Sequence, residues 1–442
     1  MSSKKLIRTS EVLSRCTFVA AALPLLLTRC WAQEPLPVIR ATARQVTIQD
    51  GNARLENVWS LSPETEIDTY YVNQPRRGDT VTFSTDLASI SFKTAYGESY
   101  EFIVLLNEKK CHIRISAKYA GVYTPERIAE STGRTADTIP FEMRGSRIYL
   151  TGKVNGNDNI SMQLDLGAGA QCVNETSAIK AGVKFDGTIP VTNSDGTNNQ
   201  PRSLKNTIEI GNLRWKGVPL VQVGNMDRHE DLIVGNSLFE TKIVEIDYDR
   251  QVLVVRDSLD NRPDGFSMHD IILKQHRPMI QAAYTVEGEE YTDWFLFDTG
   301  RDGTMMLRDD VVRRHDLWNK LSTLMPLGSK KVVCLDRVSL GGISFDSVVT
   351  NAINPANSNG GDSLLGNELL NHFNVVFDFP NGVAYLKPNS LPNKSYSNYA
   401  VFFRDLTLLV SAGLIGIVGL WAVVRKLRNR NRRTIKTRTQ AE

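Results

Sequence analysis

Two aspartates stand out because each follows an apolar stretch and begins a turn that contains glycine. The segment 294–300 reads W-F-L-F-D-T-G around Asp298, and the segment 163–167 reads Q-L-D-L-G around Asp165. Short apolar runs bounded by turn residues predict buried strands. Glycine allows the backbone to turn tightly while the acid points into a cleft. The pattern therefore favours a pair of carboxylates that perform acid–base chemistry.

The surroundings of the two aspartates recur in the same order. The block L-I-V-G-N-S-L-F at 232–239 is echoed by S-L-L-G-N-E-L-L at 363–370, and I-V-E-I-D-Y at 243–248 is echoed by V-V-F-D-F at 375–379. The aspartates are 133 residues apart, and the glycines of the echoed blocks are 131 apart. Three blocks at nearly one spacing indicate an internal duplication.

This pair of D-x-G turns, each followed by two apolar residues and a glycine, resembles the aspartic proteases. The chain looks most like two retropepsin-like lobes fused together, over residues 148–387. The resemblance implies a mostly β, bilobal acid-protease-like fold, in which one aspartate from each lobe meets the other at a pseudo-twofold axis. Asp165 and Asp298 match the catalytic positions. The active-site turns that match the family are Leu166, Gly167 and Ala168 in lobe one, and Thr299, Gly300 and Arg301 in lobe two.

Hydrolysis of a peptide bond without a metal or a covalent intermediate needs a base for water and an acid for the leaving amide. Two carboxyls about 3 Å apart cannot both ionise, so they share one proton and supply both roles. Such a pair titrates as a unit. We therefore expect a peptide or protein substrate and neither a cofactor nor a metal.

The two turns depart from the family pattern, which has a hydroxyl residue after the acid and a small residue after the glycine. In the family these hydroxyls brace the two turns against each other. Leu166 cannot donate a hydrogen bond, so half of this brace is absent. A guanidinium at Arg301 would favour two ionised carboxylates. The alternatives are that Arg301 turns outward to Asp302 or lines the cleft and selects acidic substrates. A second hypothesis is a catalytically inactive relative that binds peptide or acts as a scaffold.

The remaining chain divides by composition. The N-terminus has the basic, apolar and small-residue regions of a signal peptide, and a charge-free stretch of 19 residues near the C-terminus is long enough to cross a membrane. The predicted segments are a signal peptide (1–32), an N-terminal β-module (35–140), lobe one (141–257), lobe two (270–388), a stalk (389–405), a transmembrane helix (406–424) and a basic cytoplasmic tail (425–442). This order predicts a single-pass membrane protein whose body is periplasmic, extracellular or lumenal.

Charge and cysteine content exclude several classes of protein. Basic residues concentrate at the two ends, which leaves the body acidic and disfavours nucleic-acid binding. Neither H-E-x-x-H nor G-x-x-x-x-G-K-[ST] occurs, which disfavours zinc-protease and P-loop sites. The body has three cysteines, Cys111, Cys172 and Cys334, so a disulfide scaffold is excluded, while one bridge or three thiols remain open. The sequence leaves the oligomeric state open.

Overall fold

The structure is a computed structural model of the 442-residue chain. It describes residues 35–63, 67–118, 123–128, 135–193, 196–224, 226–357, 361–391 and 395–439. The predicted signal peptide lies outside these ranges. The described residues form 30 strands and three α-helices, so the predicted mostly β class with a C-terminal apolar helix is confirmed.

The N-terminal module consists of two four-stranded sheets, with strand orders β1-β7-β8-β4 and β3-β2-β5-β6. Its strands are β1 (Val38–Ala41), β2 (Gln45–Asp50), β3 (Ala53–Ser60), β4 (Asp68–Tyr71), β5 (Thr80–Ser84), β6 (Ser89–Lys93), β7 (Ser99–Leu106) and β8 (Lys109–Ser116). Strand β7 alternates between buried and partly buried side chains, which produces one apolar face. That core continues into Ile272, Met279, Leu296 and Leu364, so the module packs against the second half of the chain.

The first half of the duplicated region contains a closed ring of six strands, called ring one, formed by β12, β13, β18, β14, β17 and β16. The strands of this half are β9 (Glu126–Arg127), β10 (Ala136–Pro140), β11 (Glu142–Arg144), β12 (Arg147–Val154), β13 (Asn157–Leu164), β14 (Gln171–Asn174), β15 (Gly187–Asn193), β16 (Gly196–Ile210), β17 (Leu213–Val223), β18 (Leu232–Val234), β19 (Ile243–Asp247) and β20 (Val252–Arg256). Short 3-10 helices occupy Glu175–Ser177 and Asn236–Leu238. The pairing of β12 with β16 closes the ring.

The second half repeats this arrangement as ring two, formed by β22, β23, β28, β24, β27 and β26, and closed by the pairing of β22 with β26. Its strands are β21 (Ser267–Lys274), β22 (Arg277–Val286), β23 (Glu289–Phe297), β24 (Met305–Leu307), β25 (Thr323–Leu327), β26 (Lys330–Leu340), β27 (Ile343–Ile353), β28 (Leu364–Leu365), β29 (Phe373–Asp378) and β30 (Val383–Pro388). Helices α1 (Asp309–Arg314) and α2 (Asn367–Leu370), with 3-10 helices Pro355–Asn357 and Phe379–Asn381, complete this half. Both rings have the same order of parallel and antiparallel pairings.

A six-stranded antiparallel sheet joins the two halves, in the order β10-β20-β19-β29-β30-β21. At its centre β19 pairs with β29, and Glu245 lies opposite Val376. These two residues are 131 positions apart, which is the spacing of the duplication. The local twofold axis that relates the two halves therefore passes between Glu245 and Val376.

Helix α3 (Tyr399–Thr439) contains the predicted span and begins before it. The segment Tyr399–Lys426 is long and apolar enough to cross a membrane, and its most apolar part is not buried inside the body. The Asn398 side chain accepts a hydrogen bond from the Val401 N–H, which caps the helix N-terminus. The helix starts seven residues before the predicted span because this cap, rather than the last charged residue, sets its beginning. Within the predicted stalk, the Val349 N–H donates to the Ser397 carbonyl, so this part of the stalk is docked on ring two.

Replacing Phe377 with alanine should reveal how strongly the joining sheet stabilises the molecule. Its buried ring lies 5.0 Å from the rings of both Phe297 and Phe379, measured between centroids. Phe377→Ala should lower the free energy of unfolding by about 3–5 kcal/mol, because it removes a large ring and leaves a cavity. Urea unfolding of the full chain in detergent, followed by tryptophan fluorescence, measures the change. Leu87→Ala at an exposed position is the control, and an equal effect of the two substitutions would contradict the assignment.

Candidate active site

Equivalent strands hold the two aspartates in place. Strand β13 ends at Leu164, and the Asp165 N–H donates to the Val234 carbonyl at 3.0 Å. Strand β23 ends one residue before Asp298, whose N–H donates to the Leu365 carbonyl at 3.1 Å. In each half the aspartate follows directly after its strand. It lies beside a short strand that pairs in parallel with that strand and ends just before the echoed glycine.

The echoed glycines are required by close backbone contact. A methyl group at Gly235 would lie 2.6 Å from the Ala168 carbonyl oxygen, and one at Gly366 would lie 2.5 Å from the Gly303 carbonyl oxygen. Real Cβ atoms do not approach a carbonyl oxygen so closely, so any side chain would push the aspartate turn outward. The apolar-apolar-Gly pattern thus positions the turn that it packs against.

The two carboxyl groups meet at the junction of the halves. Asp165 and Asp298 are hydrogen-bonded to each other through their side chains. Each also packs on the glycine of the opposite turn: a methyl group at Gly300 would overlap the Asp165 carboxyl, and one at Gly167 would lie 2.5 Å from Asp298 Oδ1. Glycine at 167 and 300 is therefore what permits contact between the acids.

Each turn also supports its own acid. The Gly167 N–H donates to Asp165 Oδ1 at 2.8 Å, and the Gly300 N–H donates to Asp298 Oδ1 at 3.0 Å. Matching bonds close the two turns, from the Ala168 N–H to the Asp165 carbonyl and from the Arg301 N–H to the Asp298 carbonyl. The turns thus have the same local geometry despite their different sequences.

Thr299 connects the two turns through its hydroxyl group. The hydroxyl donates to the Leu164 carbonyl and accepts from the Leu166 N–H, both at 2.9 Å. Thr299 and Leu166 are both fully buried, and the Leu166 side chain lies in the main hydrophobic core. One half of the brace is therefore present, and at position 166 an apolar contact replaces the other hydroxyl.

The protonation of the pair follows from burial and proximity. Burial, followed by the charge of Asp298, raises the pKa of Asp165 to about 8. Burial also raises the pKa of Asp298, although the Gly300 N–H and the Arg301 charge oppose the increase. Because the carboxyls are in contact, the raised pKa of each belongs to a pair that holds one proton together. Near neutral pH the arrangement can offer one acid and one base.

Arg301 neither turns outward to pair with Asp302 nor forms a salt bridge with any other residue that the structure describes. Its side chain is mostly buried along a cavity next to its own turn, and its Nε atom has no hydrogen-bond partner. Asp302 is held instead by Arg147, with 3.2 Å between Nη2 and Oδ2, and by the Ser146 hydroxyl. The structure thus excludes the alternative in which Arg301 pairs with Asp302, and it shows Arg301 lining a cavity, whereas selection of acidic substrates stays a prediction.

Several residues at the site were not identified from the sequence. The Asn367 side chain donates to the Thr299 carbonyl at 2.8 Å, and Gln163 donates to the Gly300 carbonyl at 3.3 Å. The Asn236 side chain, at the position equivalent to Asn367, donates instead to the His276 carbonyl. The duplicated Gly-Asn pair was a signal for Asn367, whereas nothing local in the sequence distinguishes Gln163.

The thiols and the potential metal ligands do not form a second centre. Cys111, Cys172 and Cys334 form no disulfide with one another, which settles the open question of pairing among these three. Cys172 lies near the pair, and burial together with the Asp165 charge raises its pKa to about 12, so it stays a neutral thiol. Across the described ranges, no group of three or more His, Cys, Asp or Glu side chains is arranged to hold a metal ion.

Thr299→Val should destabilise the junction of the two halves. It removes the hydroxyl and leaves the buried Leu166 N–H and Leu164 carbonyl without this partner, which should cost about 1–3 kcal/mol in free energy of unfolding. Thr299→Ser keeps the hydroxyl and is the matched control. Denaturant titration of both variants makes the comparison, and a Ser variant as unstable as the Val variant would show that the hydroxyl contributes nothing.

The shared proton should make stability depend on pH. A carboxyl whose pKa is raised on folding stabilises the folded state when protonated, and this contribution is lost as the pH rises from the unfolded value of 3.8 through about 8. Asp165→Asn cannot titrate, so between pH 4 and pH 8 it should lose less stability than the wild type. Unfolding curves at several pH values test this, with Asp260→Asn at the surface as the control. Parallel curves for the wild type and Asp165→Asn would contradict the raised pKa.

Comparison with known proteins does not assign this chain to a family. Neither the protein-family models nor the curated proteins include a match to this chain. Interpretation of the site therefore depends on the residues and geometry of this protein alone.

Proposed function

We propose that the protein is a membrane-anchored, aspartic-type endopeptidase-like hydrolase with Asp165 and Asp298 as its catalytic pair. One observation carries the proposal: the two carboxyls are hydrogen-bonded to each other, one from each duplicated turn, and burial raises the pKa of both. Such a pair is suited to proton transfer in both directions near neutral pH. The bilobal acid-protease-like fold, with ring one and ring two as the centres of its lobes, is part of the same proposal.

In the proposed reaction a water molecule lies between the carboxyls. The ionised carboxylate accepts a proton from this water as its oxygen attacks the peptide carbonyl carbon. The protonated carboxyl donates its proton to the carbonyl oxygen, which gives a neutral tetrahedral intermediate. When the intermediate collapses, the C–N bond breaks, the newly protonated carboxyl gives its proton to the leaving nitrogen, and a hydroxyl of the intermediate returns its proton to the other carboxylate. The pair therefore again holds one proton.

Two hairpins lie at equivalent places in the halves and are candidates to cover a bound peptide. The first pairs β15 with β16, and the second pairs β25 with β26. The tip of the first hairpin lies between Asn193 and Gly196, and residues 194–195 lie outside the described part of the chain. Closure of such hairpins would exclude water and hold an extended peptide against the pair.

The membrane placement follows from helix α3 and the charges beyond it. A single apolar helix and a docked segment immediately before it would hold the body close to the membrane surface. The basic residues after position 424 favour a cytoplasmic C-terminus, with the body on the opposite side. A substrate in this setting is a peptide or protein segment that reaches the membrane surface.

The inactive, peptide-binding alternative has one specific observation in its favour. The positive charge of Arg301 lowers the pKa of Asp298, which opposes the shared proton. Burial acts in the other direction and is the larger influence, so the pKa remains raised. The balance between these two effects favours the hydrolase.

Substitution of either aspartate tests the proposed function directly. The full chain in detergent should cleave peptides from a mixed-sequence library at acidic to neutral pH, with a decline as the pair loses its proton above neutrality. Asp298→Asn and Asp165→Asn should each lower the rate by roughly 10²–10⁴-fold, because each removes one partner in proton transfer. Mass spectrometry of the products gives the rates, with Asp260→Asn as the control. Cleavage that survives both substitutions would remove the pair from the mechanism, and no cleavage by the wild type at any pH would favour the binding alternative.

A further inference from the structure

A cavity of about 440 Å³ lies between ring two and the start of helix α3. One wall is the turn that carries Asp298, represented by Arg301 and Gly303, and the opposite wall is formed by Phe402 and Leu406 of α3. Most of the remaining lining is apolar and includes Met305, Met325, Val332 and Val349. The cavity therefore combines a largely apolar surface with one cationic side chain, Arg301, which follows Asp298 by three residues and whose charge acts on it.

The guanidinium of Arg301 forms no salt bridge among the residues that the structure describes, and the charges of Asp298, Asp302 and Glu368 act on it only from beyond salt-bridge distance. The acids nearby are occupied elsewhere: Asp302 by Arg147 and Ser146, and Glu368 by the N–H of Ser397, at 2.5 Å. Asp405, the acidic residue in the cavity wall, binds its neighbour Arg404 with 2.8 Å between Nε and Oδ1. These carboxylates thus make their close contacts with other groups, and none of them forms a salt bridge with Arg301.

A cation in this position is costly without a partner. Burial lowers the pKa of Arg301, and its Nε–H has no acceptor, so it lacks part of the hydration that it would have in water. Unpaired buried charges are rare in proteins because no interaction offsets the free-energy cost of removing them from water. A carboxylate from another molecule would offset this desolvation cost with charge-assisted hydrogen bonds. The planar guanidinium can bind it in a bidentate contact.

We propose that Arg301 binds an acidic side chain of the substrate in this cavity, so that the enzyme selects Asp or Glu near the cleaved bond. This inference depends on the proposed function and adds the substrate class to it. The apolar lining of the cavity strengthens the charge recognition, because little water competes for the guanidinium. Helix α3 forms part of the wall, so the selected residue enters where the anchor meets the body.

The same contact would also assist the catalytic pair. The charge of Arg301 acts on Asp298 and opposes the protonated state of the pair. A substrate carboxylate bound to Arg301 would neutralise this charge. An acidic substrate would then be favoured in binding and in proton transfer, whereas its amide analogue would gain neither.

The experiment compares paired peptide libraries that differ only in Asp and Glu against Asn and Gln, with the full chain in detergent. The wild type should cleave the acidic set with a kcat/KM at least 10-fold higher. Arg301→Met should reduce this preference to about 2-fold or less, and Arg301→Lys should restore part of it. Arg301→Glu should reverse the preference, so that the amide set is cleaved faster than the acidic set, a change that a misfolded protein cannot show. Arg337→Met, a surface arginine paired with Asp346, is the control and should behave as the wild type.

A binding arm separates failure of this inference from failure of the proposed function. The acidic and amide libraries are fluorescently labelled, and their affinities for the Asp298→Asn protein are measured by anisotropy. Tighter binding of the acidic library, lost in the Asp298→Asn, Arg301→Met double variant, supports the Arg301 contact even if no cleavage is found. Cleavage that is equal for both libraries leaves the hydrolase in place and overturns the inference. Equal binding of the two libraries overturns it as well.

Discussion

The repulsion between two carboxylates in contact is the constraint on which the rest of the structure depends. Asp165 and Asp298 come from turns far apart in the chain, and the fold holds their side chains within hydrogen-bonding distance in a largely buried place. At such proximity both groups cannot ionise, so the pair retains a proton where an isolated aspartate would lose it. A fold that stores this proton near neutral pH has both an acid and a base available.

The residues around Asp165 and Asp298 hold the two carboxyls in contact. Glycines at 167 and 300 remove the side chains that would separate the acids, and glycines at 235 and 366 let neighbouring strands press against the turns. Thr299 fixes one turn to the other through two hydrogen bonds. The joining sheet, centred on Glu245 and Val376, then sets the two halves in register. The duplication thus brings together two acids that a single half could not.

The sequence predicted features that are local or repeated, and it missed contacts between distant segments. The strand ends at Asp165 and Asp298 were predictable because apolar runs stop there and glycine follows. The position of Asp302 against Arg147 was not, since 155 residues separate them. The docking of the N-terminal module on Leu296 and Leu364 was missed for the same reason. The beginning of helix α3 was placed too late because charge content indicates where a membrane span starts, whereas the cap at Asn398 determines where the helix starts.

The two departures from the aspartic protease pattern have different consequences. Leu166 exchanges a hydrogen bond for burial in the core, a change in stability that leaves the acids in place. Arg301 places a positive charge near the pair without forming a salt bridge to a described residue, and we propose that this charge binds an acidic side chain of the substrate. The most direct test of the central claim is a ¹³C NMR titration of protein labelled at the aspartate side-chain carboxyls. We predict one carboxyl signal that stays protonated above neutral pH and disappears in both Asp165→Asn and Asp298→Asn. Deprotonation of both carboxyls at the ordinary value of 3.8 would contradict the account.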